Sequence, residues 1–216
     1  MALPGVSAQV ASFVEGAVRV SRVRPPPDFP LPTPDQQLDC RLARESFSER
    51  TVLPFLPREY FENEPAGDFR RAWYSNTLCV MGEPPLSSPP PGGRKVRFLW
   101  LRSFHPAIVV HVEKDRGKTL LVARETDRPS GGRIVREQER VLSDVQTDAI
   151  SSLLDEIEFW TLPPTKQSFG LDGAEWILEV SDPTRYHFVD RWGGGELETI
   201  GRRLLELSEM EPDPIY

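Results

Sequence analysis

The chain has 216 residues, 38% of them hydrophobic, with 22 prolines and a formal net charge of −7. That length suits one core with an appendage, and the acidic balance argues against nucleic acid or an anionic membrane as partner, since both recruit basic surfaces. No apolar run approaches the ~20 residues that span a bilayer. Met1 to Phe13 has neither a basic start nor a continuous apolar run, so no secretory leader is expected and a cytoplasmic location is, with export of a chain lacking its leader as the alternative.

Residues 1–57 read as a proline-rich N-terminal arm. Pro25-Pro26-Pro27, Pro30, Pro32 and Pro34 interrupt any helix or central strand, so extended chain lying over the surface is expected, after a short helix over Ser7 to Val20. Cys40 and Cys79 match no metal-ligand spacing. Two idle thiols are expected, and a disulfide, which needs an oxidising compartment, is the alternative.

Residues 58–216 read as a single α+β domain. Asp68 can cap a helix that runs to about Met81, with Phe69, Ala72, Trp73, Asn76 and Val80 on its apolar stripe; Gly82 suits a left-handed stop and Pro84-Pro85 prevent continuation. A linker follows over 87–93. The period then changes to two. Val96 to Phe104 is apolar on both faces, as a central strand would be. Ala107 to Glu113 places Ile108, Val110 and Val112 on one side; Lys118 to Thr126 is the next strand, with Leu120 and Val122 inward. Ile134 to Val141 is more polar and reads as an edge strand.

Ser143 and Gln146 form a capping box ahead of an apolar stripe of Ala149, Ile150, Leu153, Leu154 and Ile157, and Pro163-Pro164 close that helix. Strands are expected over Ala174 to Val180 and Arg185 to Trp192, joined by Asp182-Pro183-Thr184. Gly193-Gly194-Gly195 leads into a last helix, Glu196 to Ser208, with Leu197, Ile200, Leu204 and Leu207 buried. The order of elements, with its short hairpins, predicts a two-layer sandwich: a mainly antiparallel sheet with two helices packed on one face, plus the N-terminal helix and arm.

Five blocks stand out: GEPPL at 82–86, FLWLRSFHP at 98–106, FWTLP at 159–163, GLDGAEWILE at 170–179 and RYHFVDRW at 185–192. Together they resemble a group of uncharacterised bacterial proteins with the same blocks in the same order, over Trp73 to Tyr216. A Ser-Pro turn is usual in that group where this chain has Gly193-Gly194-Gly195. The resemblance implies no activity and no functional residue.

The polar candidates are Asp172, Glu175, Glu179, Arg185, His187 and Arg191, with Arg102 and His105 at the end of the first strand. A three-residue hairpin loop would oppose Ser181 to Arg185, Glu179 to His187, Leu178 to Phe188 and Glu175 to Arg191. That register puts Trp176, Leu178, Val180, Tyr186 and Phe188 on one face and the charges on a solvated one. Glu179–His187 could serve as an acid–base pair, although cross-strand charge pairing explains it as well. His111 reads as a surface or half-buried histidine, and Trp100, Trp160 and Trp176 as core. Phosphate-loop, metalloprotease, nucleophile-elbow and CxxC motifs are absent, so neither a cofactor nor a metal is expected. The function expected is therefore a non-catalytic protein-interaction protein of a binding or inhibitor/immunity-like kind. The alternative is an enzyme or small-ligand binder using Glu179/His187 or Arg102/His105.

Overall fold

The structure is a computed structural model that describes residues 55–62, 64, 66–87, 93–129, 131–166, 170 and 172–210. The expected extended arm and the helix over Ser7 to Val20 lie outside the described residues, apart from 55–57. The same holds for most of the 87–93 linker. The ordered elements are α1 (Gly67–Val80), β1 (Lys95–Arg102), β2 (Ile108–Asp115), β3 (Lys118–Arg128), β4 (Gly131–Leu142), α2 (Asp144–Glu156), β5 (Ala174–Asp182), β6 (Arg185–Trp192) and α3 (Glu198–Ser208), with single 3-10 turns at Arg58–Tyr60, Phe159–Thr161 and Gly195–Leu197.

The fold is α+β. Six strands form one antiparallel sheet in the order β4-β3-β2-β1-β5-β6. Hairpins build each half from sequence neighbours, and β1, flanked by β2 and β5, joins the halves. Every residue of β1 is buried, as its two-sided apolar pattern requires.

One face carries α2 and α3, as the sequence predicts. Val96, Phe98 and Trp100 of β1, Ile108, Val110 and Val112 of β2, and Trp176, Leu178 and Val180 of β5 meet Ile150, Leu154, Ile200 and Leu204 in the larger core. Phe98 and Trp100 each lie against Trp176, at 5.5 and 5.4 Å between ring centroids. Gly201 lets α3 approach these rings closely: a β-carbon there would sit 2.6 Å from Trp176. The β3 residues in this core are Leu121 and Ala123, not Leu120 and Val122. The latter pair turns to the other face because Val112 and Val110 fall opposite Leu121 and Ala123.

The second face is also covered. Phe55, Leu56, Phe61, Tyr74, Leu78 and Met81 pack on Leu99, Leu101, Val109, Ile177 and Phe188 in a smaller core. Thus α1 docks opposite α2 and α3. Of the expected stripe, Ala72, Asn76 and Val80 are buried and Trp73 packs against the smaller core, while Phe69 is 42% exposed; Tyr74 and Leu78, outside that stripe, are buried as well. Cys79 is buried in this core and disulfide-bonded, which corrects the expectation of an idle thiol there; Cys40 lies outside the described residues.

Local signals act as the sequence implies. The backbone N–H of Gln146 donates to Ser143 Oγ at 3.3 Å and the N–H of Ser143 to Gln146 Oε1 at 2.9 Å, closing the capping box of α2. Gly82 ends α1 with φ of 73°. The α1 start differs: Ala66, left-handed at φ 56°, precedes Gly67, and Asp68 lies inside the first turn.

Candidate functional site

The C-terminal hairpin fixes where the charged residues go. Its turn is two residues long, Pro183 and Thr184, and Asp182 pairs with Arg185. The Asp182 carboxylate accepts from the Thr184 hydroxyl at 2.7 Å and from the backbone N–H of Thr184 at 2.9 Å and of Arg185 at 3.1 Å; against the upward push of burial, these bonds, the hydroxyl first, hold it well below the usual carboxylate range, at about 2. Relative to a three-residue loop the register moves by one, which turns every β6 side chain to the other face. Glu179 therefore opposes Phe188, His187 opposes Val180, and Glu175 opposes Trp192. Phe188 belongs to the smaller core with Ile177, not to the one with Trp176 and Leu178. The expected cross-strand pairs Glu179–His187 and Glu175–Arg191 do not form.

The supposedly solvated face is a buried ionic layer beneath α1. Arg97, from β1, is fully buried, and its Nε donates to Glu179 Oε2 at 2.7 Å while Nη1 donates to the Pro84 carbonyl at 2.5 Å. Tyr186 OH donates to Glu179 Oε1 at 2.7 Å. Next to this pair, Glu83, from the segment after α1, takes Arg124 Nη1 at 2.6 Å and His111 Nδ1 at 3.0 Å. Burial alone would raise the Glu83 pKa, but His111, Arg124 and Arg97 together hold it at about 2. Arg124 continues to Glu137 at 2.7 Å, and Lys95 meets Glu113 at 2.7 Å. His111 is thus a buried member of the layer and not a surface residue; it is 7% exposed.

A second cluster holds the N-terminal end of α1. Arg70 hydrogen-bonds Asp190 and approaches Glu175 Oε1 at 3.8 Å and Glu64 Oε2 at 4.0 Å. Tyr74 OH donates to Asp190 Oδ2 at 3.1 Å and accepts from Arg70 Nε at 3.1 Å. Burial, then the neighbouring Asp190 charge, pushes Glu175 up to about 7. Burial likewise raises Asp190.

The remaining candidates lie apart from both clusters. Arg102 stacks on Trp100 at 4.6 Å and donates through Nη2 to the Pro106 carbonyl at 2.8 Å; it is buried and fastens the β1–β2 connection. His105 lies in that connection, half-buried, beside the exposed Phe104. Asp172 is exposed in the turn before β5. Arg185 lies 3.7 Å over the Trp160 ring. His187 Nε2 lies 2.9 Å from the Leu162 carbonyl, and burial lowers its pKa. Arg191 Nε donates to Glu196 Oε2 at 2.8 Å and Nη2 to the Pro163 carbonyl at 3.0 Å.

Several of these bonds close one edge of the sheet. The backbone N–H of Asp190 also donates to the Pro164 carbonyl at 2.8 Å, so β6 is sealed by the segment over 162–164. The opposite edge, β4, has no strand beside it among the described residues. Its Arg136 and Arg140 reach over to the carbonyls of Glu209 and Leu207 at the end of α3. Four of the six large apolar side chains exposed among the described residues lie on β4 or just after it: Ile134, Val135, Val141 and Val145, the last three 59, 59 and 79% exposed. Val135 sits where the β3–β4 register shifts. The sequence reading found the edge strand but not its apolar exposure.

Among the described residues there is no group of three His, Cys, Asp or Glu side chains that could hold a metal, and no helix is long and apolar enough to cross a membrane. The chain matches no family model, no curated protein and no solved structure.

Proposed function

We propose that this protein is a non-catalytic interaction protein, of a binding or inhibitor kind, that docks a partner protein along the edge of β4. The observation that carries the proposal is the contrast between the two sheet edges. Folded proteins cover or charge their edges because unpaired N–H and C=O groups recruit other strands. Here β6 is met at Asp190 by the segment over 162–164, whereas the twelve-residue β4, which α1 approaches, is bordered by no described strand and presents Ile134, Val135 and Val141. Apolar exposure concentrated on an edge marks a site of strand addition, in which main-chain hydrogen bonds give affinity and alternate side chains give specificity. Glu179 is committed to Arg97 and Tyr186 beneath α1, His187 faces the Leu162 carbonyl, and the two point to opposite faces of the sheet.

The test is affinity capture from cells of the source organism with the full chain and with a Val135→Lys/Val141→Lys variant of matched thermal stability. Lysine at both positions should abolish recovery of a partner that the parent chain retains. A partner retained equally by both chains would exclude the β4 edge.

A further inference from the structure

The cluster at Asp190 has too few cations for its acids. Glu175 and Asp190 project from neighbouring strands on the same face, one pair apart, since Asp190 opposes Ile177 and Glu175 opposes Trp192. Among the described residues, Arg70 is the one cation whose side chain meets either carboxylate, and it also faces Glu64. Among the described residues, the other groups around the pair bring no further cation to either carboxylate. From α1 comes the neutral Tyr74, and on β1 the residue opposite Glu175 is Leu101. Arg191, next to Asp190 in sequence, points to the other face, where Glu196 engages it; its Nη1 donates to the Asp190 backbone carbonyl at 2.6 Å, and its charge, the smallest of the influences that oppose burial at Asp190, acts without touching the carboxylate. One oxygen of each acid, Glu175 Oε2 and Asp190 Oδ1, is buried without a hydrogen-bond partner. Two ionised carboxylates would leave both oxygens unsatisfied around one guanidinium, whereas a proton turns one of them into a donor.

We propose that Glu175 and Asp190 hold one proton between them, and that this proton latches α1 onto the sheet. Loss of the proton adds a negative charge to a buried site with one guanidinium, and the element that can yield is α1, which supplies Arg70 and Tyr74. The upward displacement of both acids agrees with this geometry. Opening α1 would uncover Phe188, Ile177 and Leu99 of the smaller core while α2 and α3 keep the larger one closed.

Hydrogen–deuterium exchange of the full chain at pH 6 and pH 8.5, corrected for intrinsic rates, reads the latch directly. Protection of α1 relative to α3 should fall by at least about tenfold at the higher pH, the change that one unit of differential proton affinity produces. In Glu175→Gln, which keeps the shape and removes the charge, the ratio should stay constant. Asp190→Asn leaves Glu175 without its acidic neighbour and should also flatten it. A constant ratio in the parent chain, or an equal fall in Glu175→Gln, would overturn the proposal. If either variant fails to fold, the carboxyl carbon titration of the parent chain decides: a Glu175 midpoint below pH 5 overturns the proposal, and one near 7 upholds it.

Discussion

Removing the Glu179 carboxylate tests the buried ionic layer most sharply. In Glu179→Ala, Arg97 keeps only the Pro84 carbonyl and the more distant Glu83, whose Oε2 lies 3.6 Å from Nη1. Tyr186 OH also loses its acceptor. Both members of the pair are fully buried, with side-chain exposures of 0%. Breaking such a pair from one side costs roughly 3–5 kcal/mol because a charge stays buried without its partner. On an open face the same change would cost less than about 1 kcal/mol. The double variant Arg97→Met/Glu179→Leu removes both charges and should recover most of the loss, since apolar replacements of a buried pair are often neutral. Urea denaturation of the parent, Arg97→Met, Glu179→Leu and the double variant gives the coupling directly. A Glu179→Ala loss below about 1 kcal/mol, or additive single losses, would mean that the layer is wet and the hairpin register wrong.

Further outcomes follow from individual sites. Gly201→Ala should destabilise by about 1–3 kcal/mol in thermal or urea melts despite the better helix propensity of alanine, because the new methyl group meets Trp176 at 2.6 Å. Glu83, held at about 2 against an ordinary 4.5, contributes stability that is complete above pH 4.5 and is lost as pH falls through 2. That difference corresponds to ~3 kcal/mol, and Glu83→Gln should remove most of the acid sensitivity seen in pH-dependent melts. Glu175 has the opposite sign: raised to about 7, it contributes stability that is complete below pH 4.5 and is lost as pH rises through 7. The same melts at pH 5 and 8.5 should therefore converge in Glu175→Gln.

The parts of the fold that were legible in the sequence are those specified by local chemistry. Ser143 with Gln146 and Gly82 each act within a few residues and set the element boundary that they imply, whereas Pro163-Pro164 do not close α2, which ends at Glu156 where Glu158 turns left-handed at φ 50°. The face assignments of the C-terminal hairpin were not legible, for a definable reason. Phe188 and Val189 are adjacent and both apolar, so either face can claim the strand, and only the side-chain bonds of Asp182 select the two-residue turn. The buried charges left a trace that was open to reading. Lys95 and Arg97, His111 and Glu113, and Glu175 and Glu179 recur at alternate positions in adjacent strands with both signs, a pattern of mutual pairing on one face. Because β1 is apolar on both faces, a second cover was implied; what supplies it, α1 with Phe55 and Leu56, depends on long-range docking that no periodicity encodes.

Site-specific photocrosslinking addresses the central claim, that a partner lies along β4. A photoreactive phenylalanine at Val135 or Val141, both 59% exposed, is compared in cells with one at Arg202 on the outer face of α3. A discrete adduct with one partner protein is expected from positions 135 and 141 and none from 202. Adducts from 202 alone, or no adduct from either β4 position in cells where the chain is folded and expressed, would contradict that claim.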